Sequence, residues 1–211
     1  MRDAGLPEWK VKQIYNDLGD AYRNGNAEVN ETLVPRLEYL QRSSNCVRDA
    51  NVSNHIVSAV IAYWDAHDVR YLPGASSTKI RFFEQKYGVK LPPDMRCFYT
   101  TTNGTHVQWD TGQDHESYDF YPIDEIAPDS EFRWAITFAD YRELSWWFAT
   151  DLLGGGSFGS GAVYLLGAVG RTPLLVAHSF TEFLGLYLSK SPRLTPRGAK
   201  TYHESLIDKL R

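Results

Sequence analysis

Hydrophobic side chains recur every three or four positions in the first third of the chain, which predicts a largely helical segment. The apolar positions fall into runs at residues 11–22, 32–40 and 53–67. The third run aligns Ile56, Val57, Val60, Ile61 and Trp64 on one stripe. A loop rich in glycine, proline and serine follows at residues 71–77 and predicts a domain boundary there. We therefore expect residues 1–75 to form a helical N-terminal extension.

Two short helices are predicted directly after this boundary. In the first, Ile80 and Phe83 share one face, and Gly88 is a candidate for the left-handed residue that ends the helix. The second begins at the corner Leu91-Pro92-Pro93, because proline is favoured in the first turn of a helix. It is expected to stop at Asn103-Gly104.

Runs of β-branched and aromatic residues follow, each bounded by glycine, proline or aspartate, and they predict strands. The runs are residues 107–109, 118–123, 134–138, 144–150, 162–166 and 174–177. No helical pattern lies between them, so we expect a mostly antiparallel sheet, because parallel strands need long crossover connections. Trp146 and Trp147 are adjacent in one predicted strand and must therefore point to opposite faces of the sheet.

The C-terminal part returns to a helical pattern. Ser179 and Glu182 form a capping box, in which the serine hydroxyl accepts from the Glu182 N–H and the carboxylate reaches back to the cap. An apolar stripe then predicts a helix that ends near Ser189. A last amphipathic helix begins at Thr195-Pro196, so residues 191–211 are expected to form a helical tail behind a domain of residues 76–190.

Composition places the chain among ordinary globular proteins. Of its 211 residues 43% are hydrophobic and 23% are charged, which excludes disordered and collagen-like chains. Cys46 and Cys97 are too few for a disulfide framework, so we expect free thiols in a reducing compartment. The N-terminus has no apolar signal region, and the longest uncharged run is rich in glycine. We predict a cytoplasmic protein without a membrane span.

Acidic residues are concentrated in one aromatic-bearing segment. The net charge is −4, yet residues 97–132 contain no lysine or arginine and carry eight acidic side chains. Two interpretations stay open: an interface that attracts a basic partner and anchors it with aromatics, or a solvated loop region whose aromatics are core. The predicted partner-binding residues are Trp109, Asp110, Asp114, Glu116, Tyr118, Asp119, Tyr121, Asp124, Glu125, Asp129 and Glu131. An acidic chain is not expected to bind nucleic acid.

Signals for a cofactor or a metal are weak. Residues 154–159 match the dinucleotide pattern G-x-G-x-x-G, but a predicted strand follows them where the motif needs a helix, so we expect a hairpin loop. Metal-binding atoms are available in the acidic segment on His106, Asp110, Asp114, His115 and Glu116. Their spacing fits neither a calcium loop nor a zinc motif. We predict no cofactor and no metal.

Signals for catalysis are equally weak. Cys97 lies in a predicted helix beside Phe98, which favours a buried and unreactive thiol. His178 precedes the capping box and is expected to be structural. Nothing assembles a nucleophile, a base and an orienting group, so the sequence does not indicate an enzyme.

Several short motifs follow one another between residues 80 and 188. They are Phe83-Glu84, a glycine step at Gly88, Leu91-Pro92, Asn103-Gly104, and the closing Ser179-Phe180-x-x-Phe183-Leu184. In this order they resemble the SUKH superfamily, also called the Smi/Knr type, over roughly residues 78–189. The resemblance implies that these motif residues are structural. It also implies an α+β fold, with a curved, mostly antiparallel sheet flanked by helices.

The resemblance implies a protein-binding role without catalysis. Many bacterial members of the superfamily are immunity proteins that neutralise a toxin, often a nuclease or a deaminase. We therefore expect the acidic, aromatic-bearing face to cover the basic active site of a cognate toxin. The alternative is a regulatory or scaffold subunit, of the cell-wall-synthesis regulator or tubulin polyglutamylase type, which docks through its N-terminal helices.

Overall fold

The structure, a computed structural model, describes residues 46–105, 117–142, 144–167 and 172–210. The helices predicted at residues 11–22 and 32–40 and the strand predicted at 107–109 lie outside these ranges. The described helices are α1 (Cys46–Ala66), α2 (Ser77–Tyr87), α3 (Pro93–Thr101), α4 (Phe180–Leu188), a 3-10 turn (Pro192–Leu194) and α5 (Pro196–Leu210). No described helix is both long enough and apolar enough to cross a membrane.

Local signals in the sequence define the ends of α2. The side chain of Ser76 accepts a hydrogen bond from the backbone N–H of Lys79 at 3.3 Å and caps the N-terminus. Gly88 ends the helix with φ of 66°, a left-handed conformation that side-chain-bearing residues adopt only at a cost. The predicted C-cap is therefore confirmed.

The sheet is antiparallel at every strand pair of the described residues, as predicted. Its strands are β1 (Tyr118–Phe120), β2 (Ala127–Pro128), β3 (Ala135–Tyr141), β4 (Trp146–Asp151), β5 (Val163–Leu166) and β6 (Leu174–Ala177). They lie in the order β1-β3-β4-β5-β6, and β2 pairs with β3 beside β1. The two-residue strand β2 was not predicted, because it is too short to carry an alternating pattern. With its flanking helices, the sheet gives the α+β fold that the sequence indicates.

The main hydrophobic core lies between one face of the sheet and helices α1 to α4. Trp64 of α1 is fully buried, and its indole N–H donates to the hydroxyl of Tyr187 at 2.8 Å. Its ring centroid lies 5.5 Å from that of Phe120 and 6.1 Å from that of Phe98. Side chains of this size stabilise a core by about 1.5–3 kcal/mol each. Helix α1 thus belongs to this core, while the boundary near residue 75 stays a prediction.

The second face of the sheet carries a smaller apolar cluster. Trp147 packs on this face and Trp146 on the main core, which confirms that the two tryptophans point to opposite sides. Helix α5 adds Tyr202 and Leu206 to the second cluster. Loops around the sheet add the partly buried rings of Phe132, Trp134 and Phe158.

Side chains from the C-terminal segment cover the free edge of β6. The backbone N–H of Leu175 donates to Nδ1 of His203 at 3.1 Å, and Nε of Arg193 donates to the carbonyl of Val176 at 2.9 Å. The Arg193 guanidinium also forms an ion pair with Glu182 and lies 3.9 Å from the ring centroid of Tyr202. These contacts occupy backbone groups that would otherwise offer a template for another strand.

The capping box before α4 differs in one detail from the prediction. The Ser179 hydroxyl accepts from the Glu182 N–H at 3.1 Å, as expected. The Glu182 carboxylate reaches back one residue further and accepts from the backbone N–H of His178 at 2.7 Å. Its other oxygen contacts Arg193, so the same carboxylate joins the cap of α4 to the C-terminal segment.

Candidate functional site

Glu84, of the motif pair Phe83-Glu84, stabilises the corner between α2 and α3. The Glu84 carboxylate is buried, accepts from the backbone N–H of Leu91 at 2.9 Å, and forms ion pairs with Arg96 and Lys90. Burial alone would raise the pKa of Glu84, but the Leu91 hydrogen bond and the two cations outweigh burial and lower the pKa. The carboxylate is thus ionised and holds the Leu-Pro corner.

The Asn103-Gly104 step, which precedes β1, contacts the end of β1 and the residues that follow it. Oδ1 of Asn103 accepts from the backbone N–H of Ile123 at 2.9 Å. Gly104 has φ of 88°, and a Cβ at this position would collide with the carbonyl oxygen of Phe120. The closing motif residues Phe180, Phe183 and Leu184 are buried in the main core. These motif residues therefore support the fold.

The predicted acidic, aromatic face is divided between several places. Trp109, Asp110, Asp114 and Glu116 lie outside the described residues. Tyr118 and Asp119 lie on β1 and Tyr121 follows it, Asp124 and Glu125 lie in the turn after β1, and Asp129 and Glu131 lie in the turn after β2. The described members of the predicted set are therefore distributed over β1 and two turns.

Two of the predicted contact residues make hydrogen bonds within the protein. Asp119 is only 8% exposed and accepts from the hydroxyl of Thr105 at 3.3 Å. The Tyr121 hydroxyl donates to Oδ2 of Asp140 at 2.5 Å. Burial and this carboxylate raise the pKa of Tyr121 above its ordinary value. Asp119 and Tyr121 therefore act by stabilising β1.

The turn after β1 carries two exposed acids. The carboxylate of Asp124 lies 3.3 Å from Nζ of Lys79 on α2, and both side chains are more than half exposed. Burial alone would raise the pKa of Asp124, but a backbone hydrogen bond and the Lys79 ammonium outweigh it and lower the pKa. An ion pair this exposed contributes little to stability, and it marks where the acidic segment meets α2.

Asp129 organises the turn after β2. Its Oδ1 accepts from the backbone N–H groups of Glu131 and Phe132 at 2.9 and 2.7 Å, and its Oδ2 accepts from the Trp147 indole at 3.0 Å. Glu131 remains exposed beside the second face of the sheet. Asp129 is thus structural, and Glu131 is available to a partner.

A row of aromatic rings crosses the sheet at the first residue of β1. Tyr118, Tyr141 and Trp146 are cross-strand neighbours on β1, β3 and β4. Their ring centroids are 5.0 Å apart for Tyr118 and Tyr141 and 4.3 Å apart for Tyr141 and Trp146. All three side chains are partly exposed. We refer to these three residues, with Leu144, as the hairpin patch.

Leu144 lies at the tip of the β3–β4 hairpin and is 61% exposed. Its φ of 68° is a left-handed conformation that an apolar, side-chain-bearing residue adopts only under strain. The neighbouring Arg142 also has a positive φ, 47°, and its N–H donates to the carbonyl of Ser117 at 2.9 Å. Ser117, a residue within the acidic segment, is therefore hydrogen-bonded to the hairpin that displays Leu144.

Leu144 was not among the predicted contact residues, because the apolar pattern of residues 144–150 predicts a strand that includes it. The observed strand begins at Trp146. A signal was available: Leu144 is an apolar residue between the polar residues Glu143 and Ser145.

The glycine-rich loop is a hairpin connection, as predicted. It joins the antiparallel neighbours β4 and β5, so no helix N-terminus follows it. The buried carboxylate of Asp151 accepts from the backbone N–H groups of Gly154, Gly155 and Gly156 at 2.7, 3.3 and 2.8 Å. These N–H groups would face the phosphates in a dinucleotide site, but here the chain's own carboxylate occupies them.

An open groove of about 430 Å³ lies between the Leu91–Asp94 corner and the segment His178-Ser179. Oδ2 of Asp94 accepts from the backbone N–H of Thr181 there at 2.9 Å.

Cys97 is partly buried, its Sγ lies 2.8 Å from Oδ1 of Asn54, and burial raises the pKa of its thiol. A protonated thiol is a poor nucleophile.

Comparison of the chain with curated proteins finds no match. A family model does match: the one described as SMI1 / KNR4 family (SUKH-1) covers residues 74–185. This range is just over half of the chain. It includes the motif residues from Phe83 to Leu184, the Asn-Gly step and the hairpin patch.

Proposed function

The chain belongs to the SMI1/KNR4 family (SUKH-1), and on that basis we propose that it is a non-enzymatic, protein-binding immunity protein. Its target is a toxin of the nuclease or deaminase class, which it neutralises in the cytoplasm by covering a basic active site. The hairpin patch and the acidic residues Asp110, Asp114 and Glu116 are the proposed contact surface, together with Trp109.

The observation that carries this proposal is the strained and exposed Leu144. A large apolar side chain on a positive φ costs the free protein stability, and such strain concentrates at binding sites. The rings of Tyr118, Tyr141 and Trp146 are partly exposed on β1 and on the two strands that the hairpin joins. Tyrosine and tryptophan side chains are among the few residues that provide most of the binding energy at protein interfaces.

Charge supports a basic partner. The hydrogen bond from the Arg142 N–H to the Ser117 carbonyl places Ser117, which follows Glu116 in the sequence, at the hairpin. The exposed carboxylates of Glu125 and Glu131 add negative potential around β1 and β2. A field of one sign accelerates the encounter with a partner of the opposite sign, and salt screens this acceleration. A nuclease that binds nucleic-acid phosphates presents a basic surface of the required sign.

The proposal is tested with the toxin encoded beside the gene, by measuring association rates over a range of salt concentrations. We expect the variant Asp110→Lys/Asp114→Lys/Glu116→Lys to associate at least about tenfold more slowly at low salt. The rate should also depend less on salt than that of the wild type. The variant Asp208→Lys, an exposed acid on α5, is the control and should associate normally. Unchanged kinetics in the triple variant would refute the acidic contact surface.

A further inference from the structure

Helix α2 presents an exposed face with a phenylalanine near its centre. Phe82 is 67% exposed, the largest exposed fraction among the large hydrophobic side chains of the described residues. Ile80, Phe83 and Glu84 on the opposite side of the helix are buried and attach it to the core. Within the part of the chain that the structure describes, Phe82 thus lies outside the core and is exposed for contact with another molecule.

Basic side chains surround Phe82. Lys79, Arg81 and Lys86 are exposed on the same helix, and Lys79 and Lys86 lie three and four positions from Phe82 on its flank. The only acid of α2, Glu84, faces inward. Asp124 pairs with Lys79 at the edge of this face, so positive charge remains around Phe82. The Lys86 ammonium lies 4.7 Å from the ring centroid of Tyr87.

We propose that this exposed face of α2 binds an acidic segment of a second protein that carries at least one large apolar side chain. The positive charge selects an acidic partner, and Phe82 supplies the apolar contact that fixes it in place. A lipid surface fits less well, because a short helix with one exposed apolar residue buries too little area in a bilayer. Nucleic acid fits less well because the chain as a whole is acidic.

The α2 face is separate from the hairpin patch. Tyr118 begins β1 beside the hairpin, whereas Asp124, which contacts α2, lies beyond the other end of β1. A partner on α2 would therefore not need to displace a partner on the hairpin. The inference does not depend on the proposed function, because neither the charges nor the exposure of Phe82 involve the hairpin.

The test uses the full chain and a fluorescein-labelled peptide of 16 residues, in which leucines recur every four positions among glutamates and alanines. We expect Phe82→Ala to weaken binding of this peptide about tenfold. It should leave the weaker binding of a leucine-free version nearly unchanged. The variant Lys79→Gln/Arg81→Gln/Lys86→Gln should weaken binding of both peptides and flatten its salt dependence. Leu153→Ala, at another exposed apolar residue, is the matched control.

Several results would overturn the inference. Equal binding of the leucine peptide by the wild type and Phe82→Ala excludes Phe82 as the contact. Equal binding of a peptide with lysine in place of glutamate excludes charge selection. Tighter, Phe82-dependent binding to phosphatidylserine vesicles or to single-stranded RNA assigns the face to those ligands instead. A large drop in the melting temperature of Phe82→Ala would show that Phe82 packs against its own chain, since exposed substitutions have small effects.

Discussion

Nδ1 of His203 accepts a hydrogen bond from the backbone N–H of Leu175, and this contact makes a helix side chain the neighbour of the outermost strand. A histidine can fill this role only while that nitrogen is unprotonated. The edge of β6 is thus covered by a group whose hydrogen-bonding capacity depends on pH.

The first prediction concerns the pH dependence of stability. Burial lowers the pKa of His203 below its ordinary 6.5, and the weaker effect of Glu204 opposes this. The unfolded chain then takes up its proton at a higher pH than the folded chain. His203 therefore costs no stability above about pH 6.5, and stability falls as the pH drops from there through the lowered pKa.

The free energy of unfolding, measured with urea between pH 7.5 and 5, checks this prediction. His203→Gln should remove part of the decline, because glutamine does not titrate. His178→Gln, at an exposed histidine, is the control and should leave the decline unchanged. A wild-type slope that persists in His203→Gln would contradict the assignment.

The second prediction concerns the buried Glu84. We expect Glu84→Ala to lower the free energy of unfolding by about 2 kcal/mol, because it leaves the Leu91 N–H and the Arg96 guanidinium without their acceptor. Lys90→Ala should change stability by less than about 0.5 kcal/mol, since that side chain is exposed.

Because the pKa of Glu84 is lowered, its stabilisation is present above the unfolded value near 4.5 and is lost as the pH falls through the lowered pKa. Urea unfolding of the wild type and Glu84→Ala at pH 7 and pH 3 measures both effects. A loss of stability in Glu84→Ala that is equal at the two pH values would contradict the predicted pH dependence.

The third prediction concerns the glycine loop. Asp151→Ala removes the acceptor of three backbone N–H groups, and we expect a loss of about 2 kcal/mol in stability. Hydrogen exchange at Gly154 and Gly156 should become faster. Asp151→Asn keeps one oxygen acceptor and should lie between the alanine variant and the wild type. Unchanged exchange in Asp151→Ala would mean that the loop does not need this carboxylate.

The fourth prediction rests on the proposed function and separates folding from binding at the hairpin. Leu144→Gly relieves an unfavourable backbone conformation, so stability should be kept or slightly raised. Affinity for the toxin should fall at least about tenfold, because the exposed apolar side chain is gone. Thermal unfolding and binding measurements on one preparation check both expectations.

A matched variant controls for the change in backbone. Arg142→Gly relaxes a positive φ in the same hairpin and retains Leu144. It should therefore bind the toxin almost as well as the wild type. Equal loss of affinity in the two variants would attribute the effect to hairpin geometry and not to the leucine.

Local rules predicted the elements whose ends are determined by nearby residues. Helix α2 was predicted because Ile80 and Phe83 recur at helical spacing and because Gly88 accommodates its own positive φ. The antiparallel sheet was predicted because no helical pattern separates the strand signals. Both inferences need information from only a few neighbouring positions.

Contacts between distant residues were not predictable in the same way. Strand β1 ends at Phe120, earlier than predicted, because Pro122 has no N–H and the Ile123 N–H bonds to the side chain of Asn103. The inward orientation of Asp119 depends on Thr105, fourteen positions earlier in the chain. Composition identified the acidic segment, but only the sheet determines which of its carboxylates face solvent.

The scaffold alternative cannot be tested by asking whether an isolated N-terminal fragment binds a partner. A fragment of residues 1–75 would carry α1 without the aromatic side chains that bury Trp64. If this fragment failed to bind a partner, the reason would be that α1 does not fold without the rest of the core. Substitutions on the exposed side of α1 in the full chain, such as His55→Ala and Ser58→Ala, test docking through this helix without removing it from the core.

Trp64 also limits how this gene can be divided or recombined. A segment exchanged at the limits of the family match would begin at residue 74 and would leave out α1. The space vacated by Trp64 and its lost hydrogen bond to Tyr187 would alone cost about 3–5 kcal/mol, a large part of the stability of an ordinary domain. A descendant protein that inherits this unit must therefore inherit the preceding helix with it, or evolve another side chain to fill the same space.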